Sequence, residues 1–286
     1  MAYQIKIEDI PDVIVRNWYK NYYKKPEISP DEKSEISNER PEFSIISTKY
    51  PHILEVESTS RCNVNPPCPM CGRAVRDLTK ETDMPDYFLK WLMTTIRNVE
   101  KISISGVGEP MISQSFYDMI NIKSSADLYF FSNGQILTQK NIDIILERPV
   151  TNISFSIDAA TPNTYRKIRG FDMLTFDTVI KNISLLIKLR NERNQELPSV
   201  TLVMVLMKEN YQELPDLVTL AGEIGANIVS CWRLCNPSSS GDYKNHSRFD
   251  FYFSHKEQSD LPDIKGIFEE AYFRAKNSGV VLRVRK

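Results

Sequence analysis

From residue 52 onward the chain alternates short β-branched or apolar runs with segments of helical period, and no other feature constrains its fold as strongly. The pattern predicts strands at 52–58, 101–106, 127–132, 151–158, 199–207 and 226–233. Helices are predicted between them, at about 86–98, 112–123, 138–147, 174–191 and 211–224. Parallel strands need crossovers of this kind, and those crossovers are right-handed. The expected fold is therefore α/β, a partial (β/α)6 barrel of parallel strands. Functional groups of βα barrels gather at the C-terminal ends of the strands, and every motif described below falls at such an end.

The flanks read differently. Ile10 to Tyr23 has the spacing of a short amphipathic helix, with Val13, Trp18 and Tyr22 available to face a core, and Lys24 to Glu42 is almost wholly polar. Residues 1–50 are thus expected to form a helical extension and linker, 51–235 the barrel, and 236–286 a loop, helix and strand that complete the domain. With 36 basic against 37 acidic residues the chain has no electrostatic footprint for tight nucleic-acid binding, which leaves room for a local patch alone. No run approaches the roughly 20 apolar residues of a membrane helix, and the N-terminus lacks a secretory pattern. A cytoplasmic protein is expected.

Three of the five cysteines lie within ten residues, in the run R-C-N-V-N-P-P-C-P-M-C-G from Arg61 to Gly72. A disulfide framework belongs to small secreted domains with even cysteine counts, which this chain is not. A closed zinc site needs a fourth ligand, for which Cys231, Cys235 and His246 are distant candidates, and that reading stays open. Three thiolates without a fourth suit a cubane [4Fe-4S] cluster held by three irons, with one iron open to a ligand. Pro66, Pro67 and Pro69 stiffen the loop that would turn around it.

At these residues the chain resembles the radical S-adenosylmethionine superfamily. The family motif is C-x3-C-x2-C; Cys62, Cys68 and Cys71 match its second interval and lengthen the first to C-x5-C, and Met70 stands where an aromatic usually lies against adenine. Later segments agree in order. Gly106-Val107-Gly108-Glu109-Pro110 resembles the G-G-E-P segment that lies along the methionyl amino group, which implies cofactor contacts from Gly106, Gly108 and Glu109, mostly through backbone. Ser132-Asn133-Gly134 resembles the family's T-N-G, which implies cofactor contacts from Ser132 and Asn133, with a plain Asn-Gly turn as the alternative.

Ser156-Ile157-Asp158, followed by Thr161-Pro162 as a helix start and then Tyr165-Arg166-Lys167-Ile168-Arg169-Gly170, resembles the S-I-D-(G/A)-x-T…Y-x-x-I-R-G signature of relatives that modify peptides, sugars and other metabolites. The resemblance implies Ser156 on a ribose hydroxyl, Arg169 on the methionyl carboxylate and Asp158 towards substrate; the plain alternative for Arg169 is a surface ion pair. Asn210, in a segment similar to m-K-x-N, is expected to cap the next helix. Cys231 and Cys235 end the sixth predicted strand, where they would ligate a second cluster, donate a hydrogen atom to a substrate radical, or simply pack.

The resemblance implies a [4Fe-4S] cluster and S-adenosylmethionine as cofactors, an electron donor such as flavodoxin or ferredoxin, and a small-molecule or peptide substrate. One electron from the cluster would cleave the sulfonium, and the resulting 5′-deoxyadenosyl radical would abstract a hydrogen atom. Many relatives with this signature continue into a cysteine-rich SPASM or twitch domain. The competing reading is a non-catalytic scaffold with a degenerate barrel stabilised by zinc or a cluster.

Overall fold

The structure, a computed structural model, describes residues 52–75, 77–95, 99–122, 124–170, 176–234 and 261–284. The predicted N-terminal helix, its linker, most of the polar loop before the last helix, and Cys235 lie outside these residues.

Seven strands form one sheet in the order β1 to β7: Ile53–Val56, Lys101–Ile104, Asp127–Ser132, Val150–Ser156, Ser199–Leu206, Ile228–Arg233 and Val281–Val284. All neighbours pair in parallel. The first six are the predicted strands. The seventh is the expected last strand, which extends the partial barrel by pairing with β6.

The connecting helices are α1 (Asp86–Thr95), α2 (Gln114–Ile120), α3 (Gln139–Leu146), α4 (Pro162–Arg169), α5 (Phe176–Glu192), α6 (Leu214–Ile224) and α7 (Ile264–Ser278). Their ends follow local chemistry. Thr161 caps α4 by accepting from the Thr164 N–H, with Pro162 in its first turn, where a missing N–H costs nothing. Thr138 caps α3 in the same way. Glu213 then secures the start of α4 from outside, accepting from the N–H groups of Ala160 (2.7 Å) and Thr161 (3.1 Å).

Because successive strand residues point to opposite faces, the sheet has two unlike sides. Ile102, Ile104, Leu128, Phe130, Ile153 and Phe155 on one side are at most 2% exposed and join the apolar core under the helices. The other side encloses a lumen of about 890 Å³, on which Ser103, Tyr129, Asn152, Ser154 and Thr201 open. A register shift between β3 and β4 at Leu128/Tyr129 lets both Thr151 and Asn152 face that space.

Candidate active site

The cysteine loop leaves β1, and its start is tied to the segment that precedes α1. Ser60 N–H bonds the Thr82 carbonyl at 2.9 Å, and the Arg61 guanidinium bonds Asp83 through two nitrogens. The loop then meets the turn after β2, where Glu109 N–H donates to the Arg61 carbonyl at 2.8 Å. That approach requires glycine at 108, because a Cβ there would lie 2.0 Å from the Thr59 carbonyl oxygen. The same turn is gripped by Glu57, whose Oε1 accepts from Val107 N–H at 2.6 Å.

Glu109 itself turns inward and is 2% exposed. Its carboxylate accepts from Ser132 Oγ (2.9 Å), Asn133 N–H (2.7 Å) and Met111 N–H (3.4 Å), joining the β2 turn to the β3 turn. Burial pushes its pKa from 4.5 up to about 7, while those hydrogen bonds and the Arg169 charge pull the other way. Ser132, with its hydroxyl committed to Glu109, is buried. Asn133 reaches the cysteine loop, its Nδ2 lying 2.9 Å from Asn63 Oδ1 and 3.7 Å from Cys62 Sγ.

Cys68 is buried, while Cys62 and Cys71 are partly open. Burial raises the Cys62 thiol to about 11, opposed by a backbone hydrogen bond from Val64 and by the Arg73 charge. Burial also raises Cys68, and there the opposing charge is Arg169. Arg73 is 4% exposed; it pairs with Glu81 and donates to the Val64 carbonyl at 3.0 Å, holding the loop from behind. Sequence reading missed Arg73, Glu81, Glu57 and Glu213, because no local pattern marks a partner eight to fifty-three positions away.

The end of α4 closes the other side. A Cβ on Gly170 would be 3.4 Å from Pro69, and Arg169 lies against Cys68. Burial opposes the Arg169 charge, but Asp158, Cys68 and Tyr165 outweigh it and raise its pKa. Arg169 pairs with Asp158, which is fully buried, and its Nε is buried without a hydrogen-bond partner. The expectation that Asp158 points towards substrate needs revision, since its Oδ1 accepts from Val205 N–H at 2.6 Å and its Oδ2 faces Arg169. Asn210 is no side-chain cap either. It accepts from Met207 N–H and donates to the Asp158 and Val205 carbonyls, locking the ends of β4 and β5 together.

Ser156 and Gly106 line the lumen, and Met70 sits half-buried on the loop between Cys68 and Cys71. Cys231 departs from its reading as a thiol at the mouth. It alternates with the lumen-facing Ser230 and Trp232, so it points to the helices, where it is 0% exposed and burial holds its thiol at about 12. Among the described residues no three His, Cys, Asp or Glu side chains form a group that could hold a lone metal ion. A cubane asks for something else, one thiolate on each of three separate irons. Three thiols on one loop, with cationic Arg73 and Arg169 beside them to offset the charge of a thiolate cluster, fit that group.

Residues 56–221 match the sequence profile of the Radical SAM superfamily. Since the match covers more than half of the chain, the protein belongs to the radical SAM superfamily of enzymes. Among curated proteins it is similar to the AdoMet-dependent heme synthase of Methanosarcina barkeri (strain Fusaro / DSM 804), 25% identical over 147 residues, which are 50% of this chain and 41% of that protein. Among solved structures it resembles Streptococcus suis SuiB bound to precursor peptide SuiA, with a TM-score of 0.62 at 14% identity over 83% of this chain and 49% of SuiB. It also resembles anSMEcpe with bound AdoMet, with a TM-score of 0.57 at 15% identity over 82% of this chain and 64% of that one. The chain thus spans about half or less of the heme synthase and of SuiB. At these identities the structural likeness establishes the fold. Among the described residues no helix is long and apolar enough to cross a membrane.

Proposed function

We propose that the protein reductively cleaves S-adenosylmethionine and removes a hydrogen atom from a small-metabolite or peptide substrate. The observation that carries this reading is the packing of the end of α4 on the three-thiol loop, with Gly170 against Pro69 and the Arg169 charge beside Cys68. Cys62, Cys68 and Cys71 would hold a [4Fe-4S] cluster and leave one iron to the cofactor. When bound and reduced, that cluster supplies the electron that splits the sulfonium into methionine and a 5′-deoxyadenosyl radical.

The chain's own residues act by position. Arg169 has one edge fixed by Asp158 and a buried Nε without a partner, which suits it to the methionyl carboxylate. The backbone of Gly106, Gly108 and Glu109 takes the methionyl amino group, with Glu109 serving the turn rather than the ligand through its carboxylate. Ser156 faces the ribose, while Ser132 holds the β3 turn through Glu109 and the Gly134 N–H, and Asn133 with Met70 flanks the loop. Asp158 is then a positioning residue that acts through Arg169. The substrate is of small-molecule or peptide type, the latter supported by the peptide bound to SuiB, and the electron comes from a protein such as flavodoxin or ferredoxin.

Anaerobic reconstitution tests the reading. The wild type is expected to turn brown with about four irons per chain and, with dithionite, to release 5′-deoxyadenosine; Cys68→Ala loses both. A colourless zinc-loaded protein that leaves S-adenosylmethionine intact would instead identify a non-catalytic scaffold.

A further inference from the structure

We propose that the barrel lumen binds an uncharged, polyhydroxylated small molecule of sugar type as the substrate. The inference rests on the proposed function only for the statement that the molecule bound there is the one that reacts.

The inside of a closed βα barrel is normally packed with bulky branched side chains. This lumen is not. Across five hydrogen-bonded strands one tier reads Glu55, Ser103, Tyr129, Asn152 and Ser199. The next includes Phe131, Ser154, Thr201 and Ile228. Short side chains leave the space of about 890 Å³ open, which is large enough for a small ligand.

The polar groups are ordered before any ligand arrives. Asn152 Nδ2 donates to Ser199 Oγ (2.8 Å) and Thr201 Oγ1 (2.9 Å), while Ser154 Oγ donates to Asn152 Oδ1 (3.0 Å). Since a hydroxyl has one donor and two acceptor sites, Ser154 keeps acceptor capacity and Thr201 keeps its own proton. Ligand hydroxyls, which also donate and accept, match such a wall.

Charge and apolar surface narrow the class further. Among the described residues the lining carries Glu55 and Asp127 against Lys101 and Arg283, two acids to two bases, so these offer no surplus cation to a phosphate or polycarboxylate. Its larger apolar surfaces are the rings of Tyr129, Phe131 and Trp232. Phe131 and Trp232 meet edge to face at 5.7 Å, and Trp232 is fixed by its Nε1 donating to Ser230 Oγ at 2.9 Å. Fixed rings beside hydroxyls suit the C–H face and hydroxyl rim of a pyranose. A peptide would need a row of apolar side-chain pockets, but among the described residues the aliphatic lining is Ile53, Val203 and Ile228, on three different strands. Gly106 and Ser156, which belong to the cofactor motifs at the C-terminal strand ends, line the same lumen, so a sugar held on this wall shares one continuous space with the chemistry.

The test is calorimetric titration of the reconstituted full chain with methyl pyranosides of glucose, galactose, mannose and N-acetylglucosamine and with maltose. A neutral Gly/Ser pentapeptide amide and uridine monophosphate serve as comparators. At least one glycoside should bind saturably, and Asn152→Ala and the near-isosteric Thr201→Val should each weaken it about tenfold, the value of one lost hydrogen bond. Circular dichroism checks that both variants are folded. Saturable binding of no glycoside, preferential binding of the peptide or nucleotide, or equal affinity in folded Asn152→Ala and Thr201→Val would overturn the proposal. The titration needs no reductant, so 5′-deoxyadenosine formation on the same preparation reads the proposed function separately: cleavage without sugar binding sinks only this inference, and sugar binding without cleavage sinks only that function.

Discussion

Asp158 holds a backbone φ of 59°, a left-handed conformation that non-glycine residues rarely adopt. Three hydrogen bonds keep it there: its own N–H on the Val203 carbonyl, the Val205 N–H on its carboxylate and the Asn210 amide on its carbonyl. Its other oxygen neutralises Arg169, so Asp158→Ala would leave a largely buried guanidinium without its counter-charge. The expected loss is about 3–5 kcal/mol of stability, measured by urea unfolding of the metal-free chain, together with weakened S-adenosylmethionine binding. A loss below about 1 kcal/mol would mean that solvent already screens the pair.

Glu109 gives the site a pH dependence of definite sign. Its folded pKa, about 7, lies above its ordinary 4.5, so the native state keeps a proton that the unfolded chain releases. This group's contribution to stability is therefore largest below pH 4.5, falls as pH rises to about 7, and is level above that. Glu109→Gln removes the titration. The wild-type minus variant difference in unfolding free energy should shift by on the order of 3 kcal/mol between pH 4.5 and 8, and a flat difference would show that the carboxyl ionises freely in the native protein.

At the scale of elements, the site is a set of turns packed against one another, and the β2 turn leaves no room for a side chain at 108 against the start of the cysteine loop. Gly108→Ala would force a methyl group against the Thr59 and Arg61 carbonyls, which are backbone and cannot rotate aside. The expected cost is about 1–3 kcal/mol, with iron retention after reconstitution falling alongside the melting temperature. Unchanged iron content and melting temperature would show that the two turns can separate without harm.

For the whole molecule, the core and the site occupy different faces. The core lies between the sheet and its helices, whereas the thiols and their charged neighbours lie at the strand ends. Chelating the iron should therefore speed amide hydrogen exchange in residues 60–83 and 106–109 and leave strand amides such as those of Ile153 and Leu202 protected. Loss of protection throughout the sheet would mean that cluster and core fold as a single unit.

Periodicity, cap residues and cysteine spacing are local properties, and the sequence alone determined what depends on them: the succession of βα units, the start of α4 at Thr161-Pro162, and the crowding of three thiols after β1. It did not determine which face Cys231 takes. In Ile228–Arg233 apolar residues occur at both parities, so only the packing of β6 between β5 and β7 sends Cys231 to the helices and Trp232 to the lumen. Asp158 and Asn210 could likewise be read only as members of motifs. Their partners lie on other strands, and a buried carboxylate is assigned to the ion pair or the substrate by which groups the fold brings within hydrogen-bonding distance in the absence of water. The same holds for Arg73 with Glu81 and for the polar lumen, whose hydroxyls come from separate strands and become one wall when the sheet curls.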